Sequence, residues 1–466
     1  MNRCLFVPPY LLERIAATHP DPDTARWARE TLALDERFRA ARSAARPAVP
    51  PDRTQPAPAP AGAHFSVYTA DHGSTLPGTL VRAQGAAVSG DAEVDEAYVG
   101  VADALAMYDE VYGRTSYDDK GAPVVSTVHY EKGYDNAFWD GSQLVFGDGD
   151  GTSFHRFTSP IDVVGHELTH AVTQFTAGLT YADQPGALNE SISDAFGSCL
   201  KQRVLQQTVD QADWLIGEGI FTASVQGKAL RSMSAPGTAY DDPTLGKDPQ
   251  VATMADYVHT KADNGGVHTN SGIPNRAFYL AATGIGGHSW DGAGKIWYAA
   301  LTSGLGASTD FAGFAAATVT AGQAVSPDAA AAVTSAWRQV GVLDGAAQDG
   351  STGGSAGADA AGWTNLPVGP GIVAVTRSGG FAGMETSGEV HLDPHPLDPP
   401  DRHLEPREAE IRRLVSRIDL ATLQAGARSP EPDRFVYAFS MHGRSAVVGE
   451  RDLTPELARL AELLLG

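Results

Sequence analysis

The order of apolar and polar positions divides the chain into segments with different predicted structures. Between residues 10 and 40, apolar side chains recur among Glu and Arg at spacings near three and four, which predicts helix. Further along, "VVSTVHY" and "SQLVFGDGDG" are apolar runs bounded by turn residues, which predicts strands. From Ile161 the pattern becomes helical and ends in Ala-rich stretches. Strands followed by helices predict an α+β protein with two lobes and a cleft between them.

Two segments of unusual composition interrupt this order. "RPAVPPDRTQPAPAPAGA" predicts an extended, protease-accessible linker, because Pro disfavours helices and strand pairing. "DGAAQDGSTGGSAGADAAG" is nearly all small or polar, which is typical of a flexible linker, and the strand, helix and hairpin patterns after it predict a small α+β domain. The predicted units are an N-terminal piece at 1–45, a linker with a processing site at 46–63, a body at 64–345 (β-rich lobe 64–160, helical lobe 161–345), a linker at 346–367 and a C-terminal domain at 368–466.

Composition narrows the classes of partner. The chain has 466 residues and a net charge of −22, so the basic patches that nucleic acids and anionic membranes require are not expected. Its two cysteines cannot form a disulfide framework. The apolar stretch at residues 5–12 is short and contains Pro8 and Pro9, unlike a conventional signal peptide. We expect a monomer.

The stretch "IDVVGHELTHAVTQF" carries the strongest chemical signal. His166 and His170 are four residues apart, so on a helix both imidazoles point from one face. Two imidazole nitrogens suit zinc, and catalysis needs a third ligand and an open position for water. Glu190 in "ALNESISDAFG" supplies that third ligand. We therefore predict one catalytic zinc ion.

Further residues around these ligands support the zinc interpretation. Glu167 adjoins the first histidine, and Asp194 lies one turn after Glu190, where it can accept the second ring N–H of a ligand histidine. Asn189 is assigned to the same outer layer. The His-Glu-x-x-His motif alone also fits an exposed helix with two solvated histidines. The Asn-Glu-x-x-x-Asp element favours zinc over that alternative.

The two zinc motifs are part of a longer series of motifs along the chain. They are "NAFWDG" at 136–141, "GDGDG" at 147–151, "HELTH" at 166–170, "NESISD" at 189–194, "LRSMSAP" at 230–236 and "DNGGVHTNSG" at 263–272. With these motifs, residues 65–342 resemble the thermolysin family of zinc peptidases. The resemblance implies a two-lobed fold, β-rich and then helical, with the zinc helix at the floor of the cleft. It also implies a metalloendopeptidase that acts on polypeptides.

The resemblance assigns roles in the reaction. Glu167 is the expected general base towards a zinc-bound water. His268, oriented by Asp263, and Tyr181 match the family's residues that stabilise the oxyanion. Without the resemblance, the side chains of His268 and Tyr181 could equally be ordinary packing residues.

The resemblance also implies a substrate-binding surface. Asn136 and the backbone of Ala137 match the segment that pairs with an extended substrate by strand addition. Arg231 matches the arginine that binds a substrate carbonyl beside the S1′ pocket. In the family that pocket prefers bulky apolar side chains on the carboxyl side of the cut.

The resemblance also implies a calcium site. Asp162, Asp213 and Glu218 match carboxylates of the family's paired calcium site, and oxygen ligands suit this ion. Lys201 stands where calcium-rich relatives carry a glutamate, so we expect one calcium ion at most. Carboxylates without any ion are the alternative.

The short N-terminal piece with "PPY" resembles the propeptide of the protealysin subgroup. A Cys4 thiolate is a candidate latch on the fourth zinc position, with Pro8 and Pro9 holding the chain extended in the cleft. A chance terminal cysteine is the alternative. Cys199 is expected to be a buried core thiol. The family suggests secretion by a non-conventional route, with a cytoplasmic location as the alternative.

The C-terminal domain resembles emfourin, an inhibitor of protealysin-like peptidases, chiefly through "VTRSGGFAGM". The candidate inhibitory loop is predicted as a tight turn with an exposed aromatic side chain, and an ordinary strand-turn signal is the alternative. Its residues are Arg377, Ser378, Gly379, Gly380 and Phe381. We therefore expect an enzyme fused to its own inhibitor. The competing hypotheses are a non-catalytic binding protein and a protein whose C-terminal domain inhibits other peptidases.

Overall fold

The structure is a computed structural model, and it describes residues 4–43, 64–343, 372–379, 384–391, 406–415, 417–418, 435–441 and 444–465. The chain divides into two compact units, Met1–Gln348 and Asp349–Gly466. In the described ranges, no helix is both long and apolar enough to cross a membrane. Both units combine helices with sheets, which confirms the α+β prediction.

The first unit contains a six-stranded sheet with the order β1-β5-β6-β4-β2-β3. Its strands are β1 (Cys4–Leu5), β2 (Phe65–Thr69), β3 (Thr79–Ala83), β4 (Val124–Val128), β5 (Ala137–Trp139) and β6 (Leu144–Phe146). The pairs β2–β4 and β4–β6 are parallel, and the other pairs are antiparallel. The N-terminal strand is therefore the edge strand beside β5.

The N-terminal piece forms two helices, α1 (Pro9–Thr18) and α2 (Pro22–Ser43). The prediction that both prolines extend the chain is wrong for Pro9: Pro8 is extended, but Pro9 is the first residue of α1. Proline suits that position because its missing N–H would be unpaired there in any case. Phe6, Leu11, Leu12 and Ile15 are fully buried in the core of the first unit. The piece is therefore packed into the body.

The β-rich lobe also contains a long helix that the sequence pattern did not reveal, α3 (Ala92–Tyr112). Asp91 caps its N-terminus by accepting a hydrogen bond from the Val94 N–H. Gly113 ends the helix in the left-handed conformation. Three of its seven buried positions are Ala or Gly, which weakens the apolar signal. The seven are Val94, Ala97, Gly100, Val101, Ala104, Met107 and Tyr108.

The remainder of the first unit is mainly helical. Its helices are α4 (Ile161–Gln174), α5 (Asp183–Val204), α6 (Asp263–Asn270), α7 (Gly272–Ile285), α8 (Ala293–Leu301), α9 (Phe311–Val325) and α10 (Pro327–Gln339). Two small sheets pair β7 (Leu215–Ile216) with β8 (Arg231–Ser232) and β9 (Asp241–Asp242) with β10 (Gly246–Lys247). Helices α4 and α5 approach closely at Gly165 and Gly197. A Cβ on Gly197 would lie 2.6 Å from the Asp162 carbonyl oxygen.

The second unit has an antiparallel sheet with the order β12-β11-β13-β14. Its elements are β11 (Ile372–Gly379), β12 (Met384–His391), α11 (Pro406–Val415), β13 (Phe435–Met441), β14 (Arg444–Gly449) and α12 (Pro455–Leu465). Buried apolar residues of β11 and of both helices form its core, including Val375, Ile411 and Leu457.

The predicted turn in this unit is wrong for part of the candidate inhibitory loop. Arg377, Ser378 and Gly379 lie within β11, which pairs on one side with β12 and on the other with β13. Backbone groups that already form two strand ladders are not free to bind a cleft. Gly380 and Phe381 lie outside the described residues.

Candidate active site

The three predicted zinc ligands come together between α4 and α5. The Nε2 atoms of His166 and His170 are 2.9 Å apart. The Glu190 carboxylate lies 3.5 Å from each of these nitrogens, and all three side chains are buried. The close approach at Gly165 and Gly197 allows the two helices to bring these ligands together.

The hydrogen bonds at the opposite ring nitrogens define what this cluster can bind. His166 Nδ1 lies 2.8 Å from Asp194 Oδ1, and His170 Nδ1 lies 2.8 Å from Asn189 Oδ1. Since both acceptors hold the ring proton at Nδ1, the two Nε2 lone pairs face each other and Glu190. Such a donor set repels itself unless a cation lies between its members. The residues therefore fit a zinc ion.

Asp194 connects this cluster to the predicted substrate arginine. Arg231 donates two hydrogen bonds of 2.8 Å to its carboxylate, and Asn275 donates another of 2.8 Å. Burial opposes ionisation of Asp194, but Arg231 and His166 outweigh it and lower its pKa to about 2. Asn275 was missed at the sequence level, because no local spacing links it to Asp194.

Glu167 lies on the same helix and is fully buried. Among the described residues, neither of its carboxylate oxygens has a hydrogen-bond partner. Burial raises the pKa of its carboxyl to about 8. An unpartnered carboxyl beside the ligand cluster can accept and return a proton.

His268 is oriented by an unusual turn at the start of α6. Asp263 and the next three residues are left-handed, with φ of 90° at Gly265, where a Cβ would lie 2.2 Å from Asp183 Oδ1. This turn brings Asp263 Oδ1 within 2.8 Å of His268 Nδ1. Burial disfavours the imidazolium, but the carboxylates of Asp263 and Glu190 outweigh it and raise the pKa of His268. The Tyr181 hydroxyl donates to Glu190.

The N-terminal strand lies beside these residues. Strand β1 pairs antiparallel with β5, with Leu5 opposite Phe138. The Phe6 N–H donates to the Ala137 carbonyl at 3.0 Å, and the Leu5 carbonyl accepts a 2.7 Å hydrogen bond from His268 Nε2. The peptide bond between Leu5 and Phe6 therefore lies against the predicted oxyanion histidine.

The next two residues bind the predicted substrate surface. The Phe6 carbonyl accepts a 3.0 Å hydrogen bond from Arg231 Nη1, and the Val7 N–H donates to Asn136 Oδ1 at 2.8 Å. The Phe6 ring is fully buried, with its centroid 5.2 Å from the His166 ring and 4.6 Å from the Arg231 guanidinium carbon. Leu5 and Phe6 were not identified as cleft residues at the sequence level. The available signal was the apolar run that contains them, Leu5 to Val7.

The Cys4 latch stays a prediction, because the side chain of Cys4 lies outside the described part of the structure. Its backbone is opposite Trp139. Cys199 is fully buried, and burial raises the pKa of its thiol to about 12. A thiol of this kind is unreactive near neutral pH.

Helix α2 of the N-terminal piece also contacts the substrate surface. Asp35, which is fully buried, accepts hydrogen bonds from Asn136 Nδ2 at 3.1 Å and from the Tyr134 hydroxyl at 2.8 Å. This contact orients the Asn136 amide. Its partners are 101 and 99 residues away along the chain, so local patterns could not reveal it.

Two of the three candidate calcium ligands form ion pairs with an ammonium group. Lys201 Nζ lies 2.7 Å from Asp213 Oδ2 and 2.9 Å from Glu218 Oε2. Asp162 is buried nearby, and it accepts a 3.0 Å hydrogen bond from the Gly217 N–H. Burial raises the pKa of Asp162 to about 6, although Lys201 opposes this shift. The lysine supplies a positive charge where the resemblance implies a metal ion.

A buried His-His-Glu cluster between α4 and α5, with the buried Glu167 carboxyl beside it, is the site expected of a metallopeptidase. Comparison with protein families agrees. Residues 53–174 match the family described as "Thermolysin metallopeptidase, catalytic domain", and residues 177–342 match "Thermolysin metallopeptidase, alpha-helical domain". Residues 375–465 match the emfourin family.

Individual relatives give the same result. The chain is 48% identical over 341 residues to an extracellular metalloprotease of Pectobacterium carotovorum subsp. carotovorum, covering 73% of this chain and 96% of the relative. It is 43% identical over 279 residues to a thermolysin of Bacillus sp. (strain EA1), covering 56% of this chain and 47% of the relative. The solved precursor of protealysin from Serratia proteamaculans matches with a TM-score of 0.65 and 49% identity, covering 73% of this chain and 100% of that one. The chain belongs to the thermolysin family of metallopeptidases.

Proposed function

We propose that this chain is a zinc endopeptidase made as a proenzyme, with its N-terminal piece bound in its own substrate cleft. The observation that carries this proposal is the setting of the Leu5–Phe6 peptide bond. Its carbonyl accepts from His268 Nε2 at 2.7 Å, and the following carbonyl accepts from Arg231 at 3.0 Å. The chain thus occupies the substrate surface that the family resemblance implies.

The ion would be held by His166, His170 and Glu190. When bound, zinc supplies Lewis-acid activation of a water and of the scissile carbonyl. Glu167, which is buried and unpartnered, takes the proton of the attacking water and returns it to the leaving amine. His268 then donates a hydrogen bond to the oxyanion.

The remaining contacts align the substrate and set its specificity. Asn136 binds the extended chain through its side-chain amide and Ala137 through its backbone carbonyl, as they do with Val7 and Phe6. The pocket that encloses the Phe6 ring is the S1′ pocket, so bulky apolar residues are preferred on the carboxyl side of the cut. Tyr181, whose hydroxyl donates to Glu190 in the structure, would donate a second hydrogen bond to the oxyanion when Glu190 binds the zinc ion.

The test uses enzyme from which the N-terminal piece has been removed, prepared as wild type and as Glu167→Gln. We expect one catalytic zinc in each, cleavage before Phe or Leu, and at least about a 100-fold lower kcat in the variant, since it lacks the proton acceptor. A chelator should abolish wild-type activity. A variant that cleaves as fast as wild type, or indifference to the residue after the cut, would refute the assignment.

We propose that the C-terminal unit regulates this activity. The match of residues 375–465 to emfourin supports an inhibitory role. If inhibition is intramolecular, a chain ending at Gln348 should be more active than the full-length chain, once both N-terminal pieces are removed. Inhibition of other peptidases by residues 349–466 added as a separate protein would instead support the second candidate, a trans-acting inhibitor.

We also propose export from the cell. The Pectobacterium relative is named an extracellular metalloprotease, which supports this location. Inactive Glu167→Gln protein in the culture medium of the source organism would support export. Retention of all the protein inside intact cells would contradict it.

A further inference from the structure

A second cluster of ligand-type side chains lies at one edge of the six-stranded sheet. Strands β2, β4 and β6 are parallel neighbours. His72 lies in the turn after β2, His129 directly follows β4, and Asp148 lies two residues after β6. The carboxyl ends of neighbouring parallel strands lie at the same edge of a sheet, which is where open sheets bind ligands.

The three side chains converge on one point. Asp148 Oδ2 lies 2.9 Å from His129 Nδ1 and 3.3 Å from His72 Nδ1. One ligand atom from each of the three lies within 4.8 Å of the others. With metal–nitrogen distances of about 2.0–2.1 Å, tetrahedral zinc ligands lie roughly 3.3 Å apart. The cluster is therefore close to the spacing that a metal ion requires.

His129 also has the outer partner that is typical of a metal ligand. Its Nε2 lies 3.0 Å from Asp91 Oδ2, which fixes the ring proton on that side and leaves the Nδ1 lone pair facing His72 and Asp148. Asp91 is itself held in place, because its other carboxylate oxygen caps helix α3.

The backbone holds the two histidines together. The His72 N–H donates to the His129 carbonyl at 2.9 Å, so the two turns are directly bonded. His72 and His129 have φ of 59° and 53°, in the left-handed region that non-glycine residues seldom adopt. The His72 side chain is 54% exposed, which leaves one side of the cluster open to solvent.

We propose that His72, His129 and Asp148 form a second metal site, separate from the catalytic ligands, for a divalent transition-metal ion of the zinc class. Two imidazoles and one carboxylate favour such ions over calcium or magnesium, which prefer oxygen ligands. The fourth position faces solvent and takes a water. The alternative occupant is a proton, because hydrogen bonding and attraction from Asp148, with help from Asp91, raise the pKa of His129 to about 9.

The test counts zinc ions in the full-length Glu167→Gln chain, which cannot process itself. After chelation and reloading with Zn²⁺, native mass spectrometry should find two ions in this chain and one in its His72→Asn and His129→Asn variants. Asparagine tolerates the left-handed backbone, so these variants keep the turns. Asp91→Asn keeps the helix cap and should weaken the second zinc about 10- to 100-fold, measured by competition with a chelating dye.

Two results would overturn the proposal. One is a single zinc per chain at saturating Zn²⁺ in the parent protein. The other is two zinc ions in both the parent and the His72→Asn/His129→Asn double variant. A matched His166→Asn variant identifies the catalytic ion separately, so failure of the active-site assignment would not be mistaken for failure of this one.

Discussion

Phe6 offers a direct test of how the N-terminal piece restrains the enzyme. Its ring is fully buried between the His166 ring and the Arg231 guanidinium. It also packs edge-on against the Phe157 ring, with the two ring centroids 6.5 Å apart. Phe6→Ala removes this packing but keeps the backbone hydrogen bonds to Ala137 and Arg231. The change therefore isolates the contribution of the filled pocket.

Buried Phe→Ala substitutions cost about 3–5 kcal/mol. Since every 1.4 kcal/mol is tenfold, the fraction of molecules with an open cleft should rise by roughly two to four powers of ten, until it saturates. Leu11, Leu12 and Ile15 remain buried and keep the piece folded against the body. Phe6→Leu still fills much of the pocket, so its effect should be smaller.

The assay measures initial cleavage of a short peptide by freshly purified, unprocessed protein, and gel electrophoresis follows the conversion to mature enzyme. Phe6→Ala should show higher initial activity and faster conversion than wild type. Exposed Glu13 on α1 provides a control, and Glu13→Ala should behave as wild type. If Phe6→Ala protein is as inactive and as slowly converted as wild type, the pocket does not hold the piece in place.

Three further predictions concern charged groups, and the stability measurements use the Glu167→Gln chain to prevent self-digestion. Lys201→Glu should destabilise the protein by about 2–4 kcal/mol in the presence of a calcium chelator, because it removes the cation between Asp213 and Glu218. The variant should regain stability when calcium is added, as measured by urea unfolding. Equal stabilisation of the parent chain by calcium would contradict this prediction. Asp135 is fully buried, and neither of its carboxylate oxygens has a hydrogen-bond partner among the described residues. Burial raises the pKa of Asp135 well above its ordinary value. The unfolded chain therefore ionises this group more readily than the folded protein, so the free energy of unfolding falls as pH rises above about 4. Asp135→Asn should therefore have little effect at pH 4 and stabilise by at least about 1 kcal/mol at pH 7.5, whereas a gain confined to low pH would refute this sign. Asp194→Asn should weaken zinc binding about 10- to 100-fold, measured by competition with a chelator, because His166 loses its charged partner; unchanged affinity would contradict that role.

The sequence by itself determined the zinc helix and its nearest partners. His166 and His170 project from one face because helix geometry relates residues four apart, and Asp194 follows Glu190 by one turn for the same reason. The α+β order of the first unit and the strand, helix and hairpin pattern of the second also follow from local periodicity. Helix α3 was not predicted, because three of its seven buried positions are Ala or Gly, which carry little apolar signal.

The tertiary structure alone decided which residues of the N-terminal piece enter the cleft. Phe6 meets Arg231, which is 225 residues away, and Asp35 meets Asn136, which is 101 residues away. It also decided that Arg377 lies inside a paired strand. Periodicity fixes neighbours within a turn or a strand. Contacts between distant segments depend on strand register and on the packing of the whole core, which no local spacing encodes.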